Sequence, residues 1–148
     1  MGFLDTLKIS SSGLAAERVR MNTISQNIAN ANTTEVEGQE GPYKRKDVVF
    51  TATNSGKEFD DLMRQAFDPG IKEVKVTGIV EDQRAPKMVY NPGHPKADPK
   101  TGMVAMPNIS VMEEMVNLIT SNRSFEANTT ALNATKSMAS TALNIGRG

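Results

Sequence analysis

Apolar residues recur every seventh position near both ends of the chain. The first row is Leu7, Leu14, Met21 and Ile28, with Ile24 and Ala31 three positions after its last two members and Leu4 three before its first. The second row is Val111, Leu118, Phe125, Leu132 and Ala139. A period of seven holds side chains on one stripe of an α-helix and is the pattern by which helices pair in coiled coils. The first row is imperfect, because Ser10 and Glu17 stand where its companion line would be apolar. Gly13 lowers local helix stability by about 1 kcal/mol relative to Ala, so a kink or break is expected between Ser10 and Gly13. The run Asn30 to Thr34 closes this helix, since Asn and Thr side chains compete for backbone hydrogen bonds.

The second helix has clear limits. Pro107 precedes it, Ser110 and Glu113 have capping-box spacing, and Gly146 supplies a stop. Between Asn122 and Thr141 it is rich in Asn, Thr, Ser and Ala, and its apolar stripe narrows to Phe125, Leu132, Met138 and Ala139. Helices of these lengths are rods of roughly 40 and 50 Å. The middle segment is too short to cover both. They are expected to cover each other and to leave parts of their faces for something else.

All seven Pro residues lie between 32 and 107. Within that span Val48–Thr51, Val74–Val80, Pro86–Tyr90 and Met103–Met106 read as short strands, and Asp98–Gly102 as a turn. Phe59, Leu62, Met63, Ala66 and Phe67 have helical spacing within 56–68. The expected fold class is α+β. An N-terminal helix (1–33) and a C-terminal helix (108–148) form one coiled-coil-like layer, and a small β-rich segment (34–107) lies between them.

Composition narrows the function. A chain of 148 residues with 38% hydrophobic and 5% aromatic residues supports only a modest core. Lys plus Arg and Asp plus Glu both number 17, so bulk charge favours neither nucleic acid nor an acidic membrane. Absence of Cys excludes disulfides, thiolate zinc sites and thiol catalysis. No stretch approaches the roughly 20 apolar residues of a membrane span, and Met1–Ser12 lacks the apolar run of a cleaved signal. A soluble chain without membrane insertion is expected.

Candidate chemistry is sparse. His94, the sole His, sits in a Pro-Gly-His-Pro loop and reads as a structural residue. Asp60 and Asp61 are adjacent, so on a helix they diverge by about 100°. Ser10-Ser11-Ser12 has no catalytic context, and no P-loop or dinucleotide fingerprint occurs. Tyr43-Lys44-Arg45-Lys46 reads as a solvated strand edge, with an anion or partner contact as the alternative. Met103, Met106, Met112 and Met115 read as adaptable packing rather than copper ligands. No catalytic, cofactor-binding or metal site and no small-molecule substrate is expected.

Two stretches carry a resemblance. Ser12-Gly13-Leu14, then Asn27-Ile28-Ala29-Asn30 and Thr33, resemble the N-terminal signature of the bacterial flagellar rod and hook axial proteins. Glu114-Met115-Val116 through Arg123-Ser124-Phe125-Glu126-Ala127-Asn128 resembles the matching C-terminal signature. Gly41–Lys46, Gly78–Asp82, Tyr90–Pro95 and Met106–Ile109 are similar to the proximal-rod members. The resemblance implies a structural subunit exported by the flagellar apparatus without a cleaved signal. It implies assembly with itself, other proximal and distal rod subunits and the rod-base adaptor. It also implies a rod that transmits motor torque across the periplasm.

On this reading Leu7, Leu14, Met21, Ile24 and Ile28 meet Val111, Met115, Leu118, Phe125, Leu132 and Met138, within the subunit and between neighbours. Asn27, Asn30, Asn122, Arg123, Glu126 and Asn128 are the polar positions that fix register. The rival reading is a small coiled-coil adaptor or export-chaperone-like binding module.

Overall fold

The structure is a computed structural model and describes residues 3–38, 40–54 and 72–146. Helix α1 (Phe3–Ala29) is followed by strands β1 (Lys46–Asn54), β2 (Lys72–Glu81), β3 (Lys87–Tyr90) and β4 (Met103–Met106), and then by helix α2 (Val111–Ile145). β1 pairs with β2, and β3 with β4, in two separate two-stranded sheets. The architecture is α+β, two long terminal helices with a small β-rich middle. The stretch 56–68, read as a short helix or an ordered loop with Phe59, Leu62, Met63, Ala66 and Phe67, and the Asp60-Asp61 pair lie outside the described residues.

α1 runs unbroken through Gly13, contrary to the expected kink. The missing side chain leaves room for the other helix: a Cβ on Gly13 would stand 3.3 Å from the Asn128 side-chain nitrogen. The glycine therefore serves close approach to the other helix. At the far end the Asn30 side chain donates to the Gln26 carbonyl at 2.9 Å and accepts from the Thr33 hydroxyl at 3.1 Å, which closes the helix locally. α2 begins as its capping box requires, with the Glu113 N–H donating to Ser110 Oγ at 3.4 Å. Five threonines along it (Thr120, Thr129, Thr130, Thr135 and Thr141) donate to the carbonyl four residues back at 2.8 to 3.0 Å. These bonds let a helix rich in hydroxyl side chains satisfy them internally.

The chain forms two compact units. One comprises Met1–Val19, Val49–Gly78 and Ser121–Gly148. Within it Ser10, Ala16, Ser121 and Thr135 are buried. Ser12 Oγ accepts the Val74 N–H at 3.1 Å and so ties α1 to β2. The Thr51 and Thr77 hydroxyls meet across the β1–β2 pair at 3.0 Å.

The other unit comprises Arg20–Val48 and Ile79–Thr120. Its core is Ile24, Ala31, Tyr43 and Val104. The β3–β4 hairpin is antiparallel, with Val89 opposite Val104 and Tyr90 opposite Met103. Alternation turns Val104 inward and leaves Met88, Tyr90 and Met103 exposed. The connecting loop is tied by Asp98, whose carboxylate accepts from the Lys100 N–H and the Thr101 hydroxyl, both at 3.0 Å. Gly102 ends it at φ +67°, with the Tyr90 ring 2.8 Å from where a Cβ would be. His94 is used within the loop, its Nδ1 accepting the Lys96 N–H at 3.1 Å.

Candidate functional site

The contacts described between the two helices are made by polar or small residues. In α2 the buried positions Glu114, Ser121 and Thr135 fall on one heptad line, and half-buried Asn128 continues it. This line lies three residues on from the apolar row Val111, Leu118, Phe125, Leu132. In α1 the corresponding line is Ser10, Glu17 and Ile24, of which Ser10 and Ile24 are buried and Glu17 half-buried. The seven-residue period is therefore present, but the seam follows the line that the apolar pattern makes secondary.

In the first unit two contacts between the helices stand out among the described residues. The Ser121 hydroxyl donates to the Glu17 carboxylate, and Gly13 faces Asn128. Residue number rises from 13 to 17 in α1 while it falls from 128 to 121 in α2, so the helices run antiparallel here. Asn128 also donates to the Ser124 carbonyl at 3.0 Å.

In the second unit the seam closes on a buried polar cluster around Asn27, which is 0% exposed. Its Nδ2 donates to the Lys46 carbonyl at 2.8 Å and to Glu114 Oε2 at 3.0 Å. Its Oδ1 accepts the Lys46 N–H at 2.9 Å and the Tyr43 hydroxyl at 3.3 Å. One side chain thereby links α1, α2 and the start of β1 with every donor and acceptor in use. Glu114 is 1% exposed, and a buried carboxylate is costly unless paired and hydrogen-bonded. Arg45 supplies the pair through Nε, 2.7 Å from Glu114 Oε1, and reaches Asp47 with a second nitrogen at 3.2 Å.

The electrostatics agree with this geometry. Burial by itself would lower the Arg45 pKa, but its hydrogen bonds to Glu114 and Asp47 and their charges outweigh burial and raise it. Burial, then the charges of Glu81 and Glu114, push the Tyr43 phenol up, which keeps it protonated as the donor to Asn27. The stretch Tyr43–Lys46 is thus not a solvated edge. Arg45 is half-buried against Glu114, and Lys46 Nζ stands 5.6 Å from the Tyr43 ring centroid and 4.0 Å from Glu81. Only Lys44 of the basic residues is exposed there.

The remaining predicted residues divide by exposure. Leu7, Leu14, Met21 and Ile28 of α1 and Leu118, Phe125 and Leu132 of α2 are half-buried, and Ile24 is buried. Val111, Met115 and Met138 are exposed. Asn122 donates to Glu126 at 2.9 Å on an exposed face, and Arg123 is exposed beside them. Met112, Met115, Val116 and Ile119 are each at least 50% exposed and stand at i, i+3, i+4 and i+7, which makes one apolar helix face. Sequence reasoning read Met112 as packing material but missed Val116 and Ile119, which lie off the heptad row. It missed Glu114, Ser121 and Thr135 because a polar line does not register as a packing signal.

Among the described residues no group of His, Cys, Asp and Glu is placed to hold a metal ion, and no helix is long and apolar enough to cross a membrane. A groove of about 150 Å³ beside Pro42, Tyr43, Arg84, Pro86 and Pro107 contains no nucleophile paired with a base.

Comparison with known proteins places both helices in described families. Residues 7–35 match the family described as flagella basal body rod protein, and residues 100–145 match the flagellar basal body rod FlgEFG protein C-terminal family. The flagellar basal-body rod protein FlgC of Bacillus subtilis strain 168 is 40% identical over 148 residues, covering 96% of this chain and 97% of its own. The FlgC of Borreliella burgdorferi is 37% identical over the full length of both chains. That of Salmonella typhimurium is 40% identical, covering 99% of this chain and all of its own.

Proposed function

The chain belongs to the FlgC family of flagellar basal-body rod proteins and is a structural subunit of the rod, and from that premise we propose that it polymerises through the outward faces of its terminal helices. In this reading the segments 1–33 and 108–148 form the inner helical layer of the assembly. The segment 34–107 forms the outer, β-containing layer. The subunit meets copies of itself, other proximal and distal rod subunits and the rod-base adaptor. It reaches the periplasm through the flagellar export apparatus without a cleaved signal, and there it carries motor torque.

One observation supports the reading above others: α2 turns a polar line inward and leaves an apolar face exposed. Glu114, Ser121 and Thr135 are buried while Met112, Met115, Val116 and Ile119 are exposed. Burying the exposed parts of those four side chains is worth roughly 1 kcal/mol each, so about 4 kcal/mol per subunit from this face alone. Many such contacts repeated by a non-closing operator give a filament, and close-packed side chains resist shear. The polar positions Asn27 and Asn128 set helix register within the subunit. Asn122, Arg123 and Glu126 are available to set it between subunits.

The test is assembly in cells whose own copy is deleted. Val116→Asp with Ile119→Asp should leave the helical circular dichroism of the purified chain intact and should abolish rods in isolated basal bodies. Rods of normal number and length from that variant would refute polymerisation through this face.

A further inference from the structure

We propose that Met112 and Met115 form a redox-sensitive modification site, at which oxidation of both thioethers to sulfoxides by a peroxide disables the unassembled subunit. The inference rests on the reading that the face carrying them packs against neighbours. With no Cys in the chain, its nine methionines are its only sulfur. Met112 is 73% and Met115 50% exposed, so oxidant reaches both before assembly covers them. They sit one turn apart beside Val116 and Ile119, which are also exposed. A polar sulfoxide at either position therefore falls within the apolar face and not beside it.

Met138 is as accessible, but its helical neighbours Ala134, Thr135, Thr141 and Ala142 are small or polar, so a polar group there displaces less apolar contact than one beside Val116 and Ile119. Met88 is exposed on β3, in the segment assigned to the outer layer. Met21 and Met106 are half-buried and oxidise later.

The step is a two-electron oxygen transfer. A sulfur lone pair attacks one peroxide oxygen, the O–O bond breaks, and an S–O bond forms. The second oxygen leaves as hydroxide and takes up the proton to become water. Sulfur is oxidised and peroxide reduced, one peroxide per methionine. Methionine sulfoxide reductases reverse the change, so the site returns to its assembly-competent form.

The experiment induces the full chain in a deletion strain that also lacks methionine sulfoxide reductases, with and without sublethal hydrogen peroxide. Sulfoxides in the unassembled pool are mapped by tandem mass spectrometry, and rods are counted in isolated basal bodies. Peroxide should oxidise Met112 and Met115 about tenfold faster than Met21 and Met106, and should cut rod number severalfold. Met112→Leu with Met115→Leu should resist peroxide, with the same rod number in treated cells as in its own untreated control. Met88→Leu and Met138→Leu should stay sensitive. Met112→Gln with Met115→Gln, which imitates the polar sulfoxide, should lower rod number without peroxide. Undiminished rods despite mapped sulfoxides, or equal peroxide sensitivity of the double-Leu variant, would overturn the inference. Resistance gained by Met138→Leu alone would overturn it too. If Met112→Asp with Met115→Asp builds normal rods without oxidant, the packing role of the face has failed. If that variant blocks assembly and sulfoxides do not, only the redox inference has failed.

Discussion

Asn27→Asp exchanges one NH₂ for one oxygen at constant shape, so it tests the buried cluster without creating a cavity. Two donated hydrogen bonds disappear, those to the Lys46 carbonyl and to Glu114. Each is worth about 1 kcal/mol, and the bond to a carboxylate somewhat more. The new oxygen then faces Glu114 Oε2 across the original 3.0 Å. Two unit charges at that separation repel by about 5 kcal/mol at an effective dielectric of 20, before Arg45 offsets part of it. A loss of roughly 4 to 6 kcal/mol follows, most of the stability of a typical small domain. Urea unfolding of the purified chain, followed by circular dichroism, measures it.

A second substitution checks the cause. Glu114→Gln added to Asn27→Asp restores a donor opposite the new carboxylate and removes the repulsion. The double variant should recover about half of the loss, giving a coupling of roughly 2 kcal/mol or more. A single variant within about 0.5 kcal/mol of the parent, or zero coupling, would refute the cluster as the element that holds α1, α2 and β1 together.

Other expectations follow from single contacts. Tyr43→Phe should cost about 1 kcal/mol at neutral pH for the bond to Asn27. Because the folded Tyr43 pKa lies above the ordinary tyrosine value, the parent should lose stability as pH rises from that value through the raised one, and the Phe variant should lack this part of the slope in alkaline melts. Gly102→Ala meets both a left-handed backbone and the Tyr90 ring, and should destabilise the hairpin by about 1 to 3 kcal/mol, visible as lost protection of the β3–β4 amides. Gly13→Ala gains about 1 kcal/mol of helix propensity but presses on Asn128, so the gain should appear in full only when Asn128→Ala is added. A fully additive pair in thermal melts would show that Gly13 is not a close-approach site.

Much of the fold was legible because it rests on local signals. Pro107, the Ser110–Glu113 box and Gly146 mark α2, and alternation with turn residues marks β3 and β4. The expected break at Gly13 failed because propensity is local, whereas the reason for Gly13 lies at the other end of the chain, at Asn128. The seam was displaced for a related reason. Periodicity weighs hydrophobicity, whereas Glu114 and Ser121 of α2 reach Asn27 and Glu17 of α1 through hydrogen bonds that no single segment encodes. Arg45 illustrates the same limit. Beside Lys44 and Lys46 it looked solvent-facing, and only the arrival of Glu114 from 69 residues on makes it a buried partner.

The exposed apolar face of α2 is expected to become buried when subunits join. A chain without Cys allows this to be read directly, because a thiol placed at Ile119 is the sole thiol present. Labelling of Ile119→Cys by a water-soluble maleimide should be rapid in the monomer and blocked in isolated basal bodies, whereas Ser121→Cys, on the inner seam, should label slowly in both. Equal labelling of Ile119→Cys before and after assembly would contradict the account.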